Sequence, residues 1–224
     1  MNNTINLPVL YSLRNCPFAM RARLAIFKSH QKVFLRDIVL SNKPNEMLMA
    51  SPKGTVPVLV SNQFGVIDES LEIMLWAFEQ SDPDDFLHKN HHIHSPTKNT
   101  EMMSLIQVFD TQFKASLEKY KCAKRYHESN VIECRQDCEA YIKQLEQRLT
   151  EQKFLVSNKE SLADIALLPF IRQFARIERQ WYLQSPYPKL RHWLNHYLQS
   201  AMFTKVMAKY PLWEESQPEI IFSC

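Results

Sequence analysis

Hydrophobic positions fall in short runs over the first third of the chain and at helical spacing afterwards. Residues 7–13, Leu-Pro-Val-Leu-Tyr-Ser-Leu, make an apolar run of strand length, and Asn15-Cys16-Pro17 ends it. Residues 18–28 are rich in strong helix formers, with Phe18, Ala22, Ala25 and Ile26 on one stripe. Pro17 suits the first position of that helix, where no amide partner is needed. Residues 33–39 predict a second strand and residues 44–50 a short helix. Residues 56–60 and 65–68 predict two more strands, close enough for an antiparallel hairpin. Residues 69–80 predict a helix with Leu71, Met74, Leu75 and Phe78 at helical spacing.

Residues 81–97 are polar, punctuated by proline and rich in histidine, the character of a linker. Beyond them the pattern predicts helices at 98–123, 129–150, 162–179, 187–199 and 203–209, with no strand-like run. A mixed sheet domain followed by an all-helical domain is the architecture this implies.

Composition narrows the function. The 224 residues suit two modest domains. A net charge of +3, from 27 basic and 24 acidic side chains, is too balanced to point to nucleic acid. No apolar run has the length of a membrane span, and the N-terminus lacks a secretory pattern, so a cytoplasmic protein is expected. Five cysteines at irregular spacing do not make a disulfide framework. The two glycines, Gly54 and Gly65, exclude a dinucleotide fingerprint and a P-loop, both of which need several in one turn.

The chemistry-bearing candidate is Cys16, between a strand and a helix. Free first-turn amides and the helix dipole favour a thiolate there, and Arg14, Arg21 and Arg23 can add positive potential according to where they point. A thiolate attacks disulfides and electrophilic carbon, whereas a free cysteine is otherwise often a small buried residue. Two further features stand with it. Val56-Pro57 opens a strand, where proline is allowed, and a cis bond there would turn the Val56 backbone toward a ligand. Asp68-Glu69-Ser70 opens a helix; these side chains either cap it or, with the terminal amides, receive the ammonium and carboxylate of a ligand.

In order and spacing these features resemble the glutathione transferases. Residues 7–80 resemble that family's thioredoxin-like N-terminal domain. Cys16-Pro-Phe-Ala19 with Arg21 is similar to its cysteine-type branch, the omega class and its bacterial relatives. Val56-Pro57 matches the family's cis-proline motif, Glu69-Ser70 its γ-glutamyl-binding pair, and Ser161-Leu-Ala-Asp164 its capping box in the helical half. The resemblance implies an α+β two-domain fold: a thioredoxin-like βαβαββα domain over residues 1–80, a linker over 81–97 and an all-α domain over 98–224.

It also implies roles. Cys16 would form a mixed disulfide with glutathione, the cosubstrate. Val56, next to Pro57, would pair through its backbone with the cysteinyl part. Glu69 and Ser70 would hold the γ-glutamyl end, and Lys53 would reach the glycyl carboxylate. Ala19 stands where a second cysteine would be, which leaves monothiol chemistry. Ser12 is the alternative contact to the glutathione sulfur, as other branches use a serine or tyrosine near the first strand. The expected partners are glutathione and a small electrophile or disulfide, with a homodimer as the assembly and no nucleic acid, membrane or metal. The alternative function is a non-catalytic transferase-fold protein that binds or regulates a partner.

Other features have plainer readings. Ser161 and Asp164 should serve folding. Pro169 should kink its helix. Phe170, Phe174 and Ile177 read as core; Gln173, Arg176 and Trp181 read either as a solvated face or as residues facing the cleft above the first domain. Cys134 and Cys138 share a helix face and read as packed thiols, Cys224 as incidental. His88, His91, His92 and His94 suggest a metal site, but a linker seldom supplies the rigid geometry one needs.

Overall fold

A computed structural model describes residues 6–89, 96–215 and 218–224. Among them the elements are β1 (Val9–Ser12), α1 (Pro17–Lys28), β2 (Val33–Asp37), α2 (Asn45–Ala50), β3 (Val58–Ser61), β4 (Gly65–Ile67) and α3 (Ser70–Gln80). There follow α4 (Pro96–Val108), a π-helical segment (Phe109–Phe113), α5 (Lys114–Arg125), α6 (Val131–Glu151), α7 (Leu162–Ile177), α8 (Arg179–Gln184), α9 (Pro188–Leu198), α10 (Ala201–Val206) and β5 (Ile220–Phe222). The first seven reproduce the expected thioredoxin-like order, and helices dominate thereafter. Among the described residues no helix is long and apolar enough to cross a membrane.

The residues form two compact units, one drawn from Met1–Asp84 with Ser200–Cys224 and the other from Asp85–Gln199. The first is built on a sheet of order β4-β3-β1-β2-β5. β1 pairs in parallel with β2, which requires the crossover that α1 supplies, and antiparallel with β3; β3 and β4 form the hairpin. Leu10, Leu35, Val58 and Leu59 are buried at the centre, each worth roughly 1.5–3 kcal/mol over exposure. α1 packs between α3 and α10 and is buried continuously from Ala19 to Ile26, including Arg21 and Arg23. In α3 the buried face is Ser70, Ile73, Met74, Ala77 and Phe78. The expected stripe therefore shifts by one position: Leu71 and Leu75 are only half-buried.

The C-terminal stretch departs from expectation. Residues from Ser200 onward belong to the sheet unit, and β5 adds an antiparallel edge to β2, Val33 opposite Phe222 and Leu35 opposite Ile220. Phe222 is fully buried there. The tail is fastened at further points. Trp213 N–H donates to the Asp37 carbonyl at 2.8 Å. The Arg36 guanidinium lies 4.2 Å from the Trp213 ring centre and donates to Glu219. Closing the β2 edge in this way removes a row of unpaired backbone groups.

In the helical unit α7 is the central element, packed on α4, α5, α8 and α9 and buried over most of its length, with Pro169 inside it. The predicted helix at 98–123 is divided by the π-helical turn, where Phe109 and Phe113 lie 4.6 Å apart. The predicted helix at 162–179 ends at Ile177, and Glu178 joins it to α8. Asp164 is wholly buried. Its Oδ2 accepts from Ser161 N–H at 3.0 Å and Ser161 Oγ at 2.8 Å. Its Oδ1 accepts from Leu155 N–H and Trp193 Nε1–H, both at 3.0 Å.

Candidate functional site at the start of α1

Cys16 is the N-cap residue of α1. It keeps extended backbone geometry, its side chain caps no amide, and Pro17 takes the first helical position. Its amide donates to the Leu13 carbonyl at 3.0 Å, closing the turn out of β1. The thiol is half-buried and lies 3.7 Å from the Val56 carbonyl, toward which it donates. The Val56-Pro57 peptide bond is cis. Leu13 and Cys16 pack against a buried cluster of Tyr11, Ala19, Ile38, Met47, Val56 and Val58. The structure therefore brings two of the three sequence features into contact.

The third lies at the start of α3. Glu69 is its N-cap residue and makes no side-chain cap. Ser70 is the first helical residue and almost fully buried, and the Arg21 Nε–H donates to its Oγ at 3.0 Å. Neither Asp68 nor Ser70 serves as the N-cap residue. Asp68 instead accepts from Ser51 Oγ at 2.7 Å and Lys53 Nζ at 2.9 Å, and these two hydrogen bonds, Ser51 foremost, hold its carboxyl below the usual range. Lys53 also reaches Glu69 at 2.7 Å. The hydrogen bonds to Glu69 and then Asp68 push its ammonium pKa up, although so exposed a pair contributes little to stability. Glu69 keeps an exposed carboxylate.

Lys53 is thus joined to the acidic residues of the α3 start. A second cation stands beside the same loop. Gly54 has φ +61, and a Cβ there would lie 3.0 Å from Lys43 Nζ. Lys43 was not singled out in the sequence, where it reads as an ordinary loop lysine.

The arginines divide. Arg21 turns to Ser70 and lies 5.1 Å from the Phe18 ring centre. Arg23 is fully buried and its Nη2 donates to the Arg14 carbonyl at 2.7 Å. Burial pushes Arg23 down to about 10, against the pull of Asp37. Burial raises the Asp37 carboxyl, against the pull of Arg23 and then of the Arg14 backbone N–H. Ser12 is fully buried and its Oγ has no partner among the described residues. Tyr11 is also buried; its hydroxyl accepts from Arg36 at 2.8 Å, and burial raises its pKa.

The remaining candidates lie elsewhere. Cys134 and Cys138 are buried in α6, and burial pushes the Cys138 thiol up to about 12. Cys122 and Cys224 are exposed. His91, His92 and His94 lie outside the described residues; the His88 Nε2 stands 3.2 Å from the Glu160 carbonyl. Gln173 is half-buried and Arg176 exposed. Trp181 carries the Arg135 guanidinium 4.3 Å from its ring centre. Arg135 donates to Glu178, which also accepts from Tyr120 at 2.7 Å and Lys124 at 3.1 Å.

Comparison with known proteins identifies the family. Residues 10–85 match the family model "Glutathione S-transferase, N-terminal domain" and residues 97–201 the model "Glutathione S-transferase, C-terminal domain". The chain is 26% identical over 186 residues to glutathione S-transferase omega-1 of Mus musculus, covering 83% of this chain and 74% of that protein. It is 32% identical over 75 residues to a probable glutathione S-transferase DHAR2, chloroplastic, of Oryza sativa, covering 34% of this chain and 27% of that one. Among solved structures it resembles a glutathione transferase family member from Pseudomonas fluorescens with two glutathione bound. There the TM-score is 0.76 at 13% identity, over 92% of this chain and 94% of that one. It also resembles the glutathione transferase URE2P6 of Phanerochaete chrysosporium in complex with oxidized glutathione, with TM-score 0.76 at 18% identity over 90% and 95%. The chain is a glutathione transferase-like enzyme: it belongs to the glutathione S-transferase family.

Proposed function

We propose that the protein is a glutathione-dependent thiol transferase in which Cys16 carries the glutathionyl group. The observation behind this reading is the position of Cys16. It stands at the uncapped start of α1 with its sulfur 3.7 Å from the Val56 carbonyl. A glutathione lying along the Val56 backbone would bring its own sulfur to the same place. The γ-glutamyl carboxylate would meet the Ser70 hydroxyl and the amides at the start of α3, which no side chain caps. The γ-glutamyl ammonium would meet Glu69, whose carboxylate is open to solvent. Lys53, and Lys43 over Gly54, are the cations for the glycyl carboxylate. The solved relatives bound to glutathione and to oxidized glutathione favour this class of ligand.

The chemistry balances as a monothiol cycle. The Cys16 thiolate attacks the glutathione sulfur of a mixed disulfide, R–S–S–glutathione. The S–S bond breaks, and R–S⁻ leaves and takes up a proton. Cys16 now carries glutathione as a disulfide. The thiolate of a free glutathione attacks the glutathionyl sulfur, releasing oxidized glutathione and restoring the Cys16 thiolate. Ala19 supplies no second thiol to short-circuit the second step. Conjugation of glutathione to aryl halides should be weak, because it would need Cys16 to yield its place to the glutathione sulfur. Ser12 is too deeply buried for that sulfur contact to be the better reading. The same reading takes the cytoplasm as the compartment and a homodimer as the assembly.

The test is turnover. Reduction of the mixed disulfide of 2-mercaptoethanol and glutathione is followed with excess glutathione, coupled to NADPH oxidation by glutathione reductase. Wild type should turn over and Cys16→Ser should fall to the uncatalysed rate, with Ser12→Ala close to wild type. Full activity in Cys16→Ser would end the proposal.

A further inference from the structure

The arginine that does not face Ser70 has no evident reason to be buried. Arg23 lies in the middle of α1, fully inaccessible, among Ala22, Leu24 and Ala25. An arginine there costs several kcal/mol unless its charge is compensated. Its compensation is specific and incomplete. Nη2 donates to the Arg14 carbonyl at 2.7 Å, while Nε and Nη1 have no partner among the described residues. The opposite charge is Asp37, at the end of β2. It is likewise buried, with Oδ1 unpartnered, and the Arg14 backbone N–H is among the groups that draw its pKa down against burial. One buried cation therefore holds the carbonyl of Arg14, and one buried anion stands beside its amide.

Arg14 is two residues before Cys16, inside the turn that the Cys16 amide closes onto Leu13. Register supports this arrangement from the other side. Ser12 and Asp37 are paired positions of β1 and β2, and the Ile38 amide donates to the Ser12 carbonyl at 2.8 Å. Trp213 N–H of the tail donates to the Asp37 carbonyl, so Asp37 is fixed in its turn.

We propose that Arg23 and Asp37 are positioning residues for Cys16, Arg23 by its bond to the Arg14 carbonyl and Asp37 by its charge beside the Arg14 amide, so that the turn presents the sulfur to a disulfide. This rests on reading Cys16 as the reacting thiol. Among the described residues no hydrogen bond or ion pair joins either charge to Val56, Glu69 or Ser70, so glutathione binding should not need them. What they fix is the place and direction of the sulfur, and attack on a disulfide requires the three sulfurs in line.

The test is a kcat-against-KM split in the turnover assay above. Arg23→Lys keeps a charge but cannot reproduce the guanidinium donor to Arg14; Asp37→Asn keeps shape and loses charge. Each should lower kcat at least tenfold and leave KM for glutathione within twofold of wild type. In contrast, Ser70→Ala should move KM. Thermal unfolding is recorded for every variant. If Arg23→Lys does not fold, Asp37→Asn with intact folding still decides. Wild-type kcat in a folded variant with only a lower unfolding temperature overturns the positioning role and leaves Cys16 standing. A raised KM with unchanged kcat overturns it as well, since the pair would then serve ligand binding. If instead Cys16→Ser keeps full turnover, the reading of Cys16 fails, and the positioning proposal with it.

Discussion

Replacing Asp164 with alanine tests how the helical unit is held. The carboxylate is wholly buried and accepts from Leu155 N–H, Ser161 N–H, Ser161 Oγ and Trp193 Nε1–H. In Asp164→Ala the Ser161 hydroxyl can rotate to another acceptor, but three N–H groups cannot. Each buried orphan costs about 1–3 kcal/mol, so the loss is roughly 3–9 kcal/mol. One effect opposes it. Burial pushes Asp164 up to about 6 in spite of its hydrogen bonds. Ionisation at neutral pH therefore costs the fold roughly 3 kcal/mol that the variant does not incur. The net loss should centre near 3 kcal/mol at neutral pH, a large part of the about 5–15 kcal/mol typical of a folded protein.

The sign of the pH dependence follows. A carboxyl whose folded pKa is raised contributes stability that is fully present below its unfolded value and is lost as pH rises through about 6. The gap between wild type and Asp164→Ala should therefore be wider near pH 5 than near pH 7. Urea unfolding followed by tryptophan fluorescence at both pH values measures it. A loss below about 1 kcal/mol at neutral pH, or a gap that widens as pH rises, refutes the reasoning.

Three further outcomes follow from the geometry. Ser70→Ala should raise KM for glutathione about tenfold with kcat nearly unchanged, as expected when a single hydrogen bond to a charged ligand is removed; steady-state kinetics with varied glutathione measures both. Lys53→Met should release Asp68 and Glu69 from their shared cation and raise KM a few-fold, while the exposed position of Lys53 keeps the unfolding temperature unchanged. Cys138, buried and with its thiol pushed up to about 12, should resist iodoacetamide in the native protein at neutral pH, while the exposed Cys122 and Cys224 react; peptide mass mapping distinguishes them.

Much of the architecture was written in local patterns. Short apolar runs with little between them give strands, and a proline after Cys16 marks a helix start. The elements through α3 follow from these rules alone. β5 did not, because three residues, Ile220 to Phe222, carry too little alternation to separate a strand from a tail. Only pairing with β2 makes it one. The π-helical turn at Phe109–Phe113 also has no local signal, since no glycine or proline stands there. In α3 the periodicity was legible but its phase was not: Leu71 and Leu75 are as apolar as the residues that are buried, and packing on α1 selects Ile73 and Ala77.

The candidate site divides in the same way. Cys16, Val56-Pro57 and Glu69-Ser70 were visible because their residue types and positions suggest chemistry. The groups behind them were not. Arg21 and Arg23 stand in an otherwise apolar stretch, Ala-Met-Arg-Ala-Arg-Leu-Ala-Ile, and a helix so apolar on every side has little solvent face to give them. That was the available signal for two buried guanidinium groups. Their partners, Ser70 and Arg14 with Asp37, depend on distant segments meeting, and no spacing encodes that.

The central claim is that Cys16 carries glutathione, and the most direct measurement is intact mass. Wild type and Cys16→Ser are incubated with oxidized glutathione in a background of Cys122→Ser and Cys224→Ser, which removes the exposed thiols. The account predicts one glutathionyl group on the protein with Cys16 and none on Cys16→Ser, with the adduct lost on adding free glutathione. An equal adduct on Cys16→Ser, or none on either protein, would contradict it.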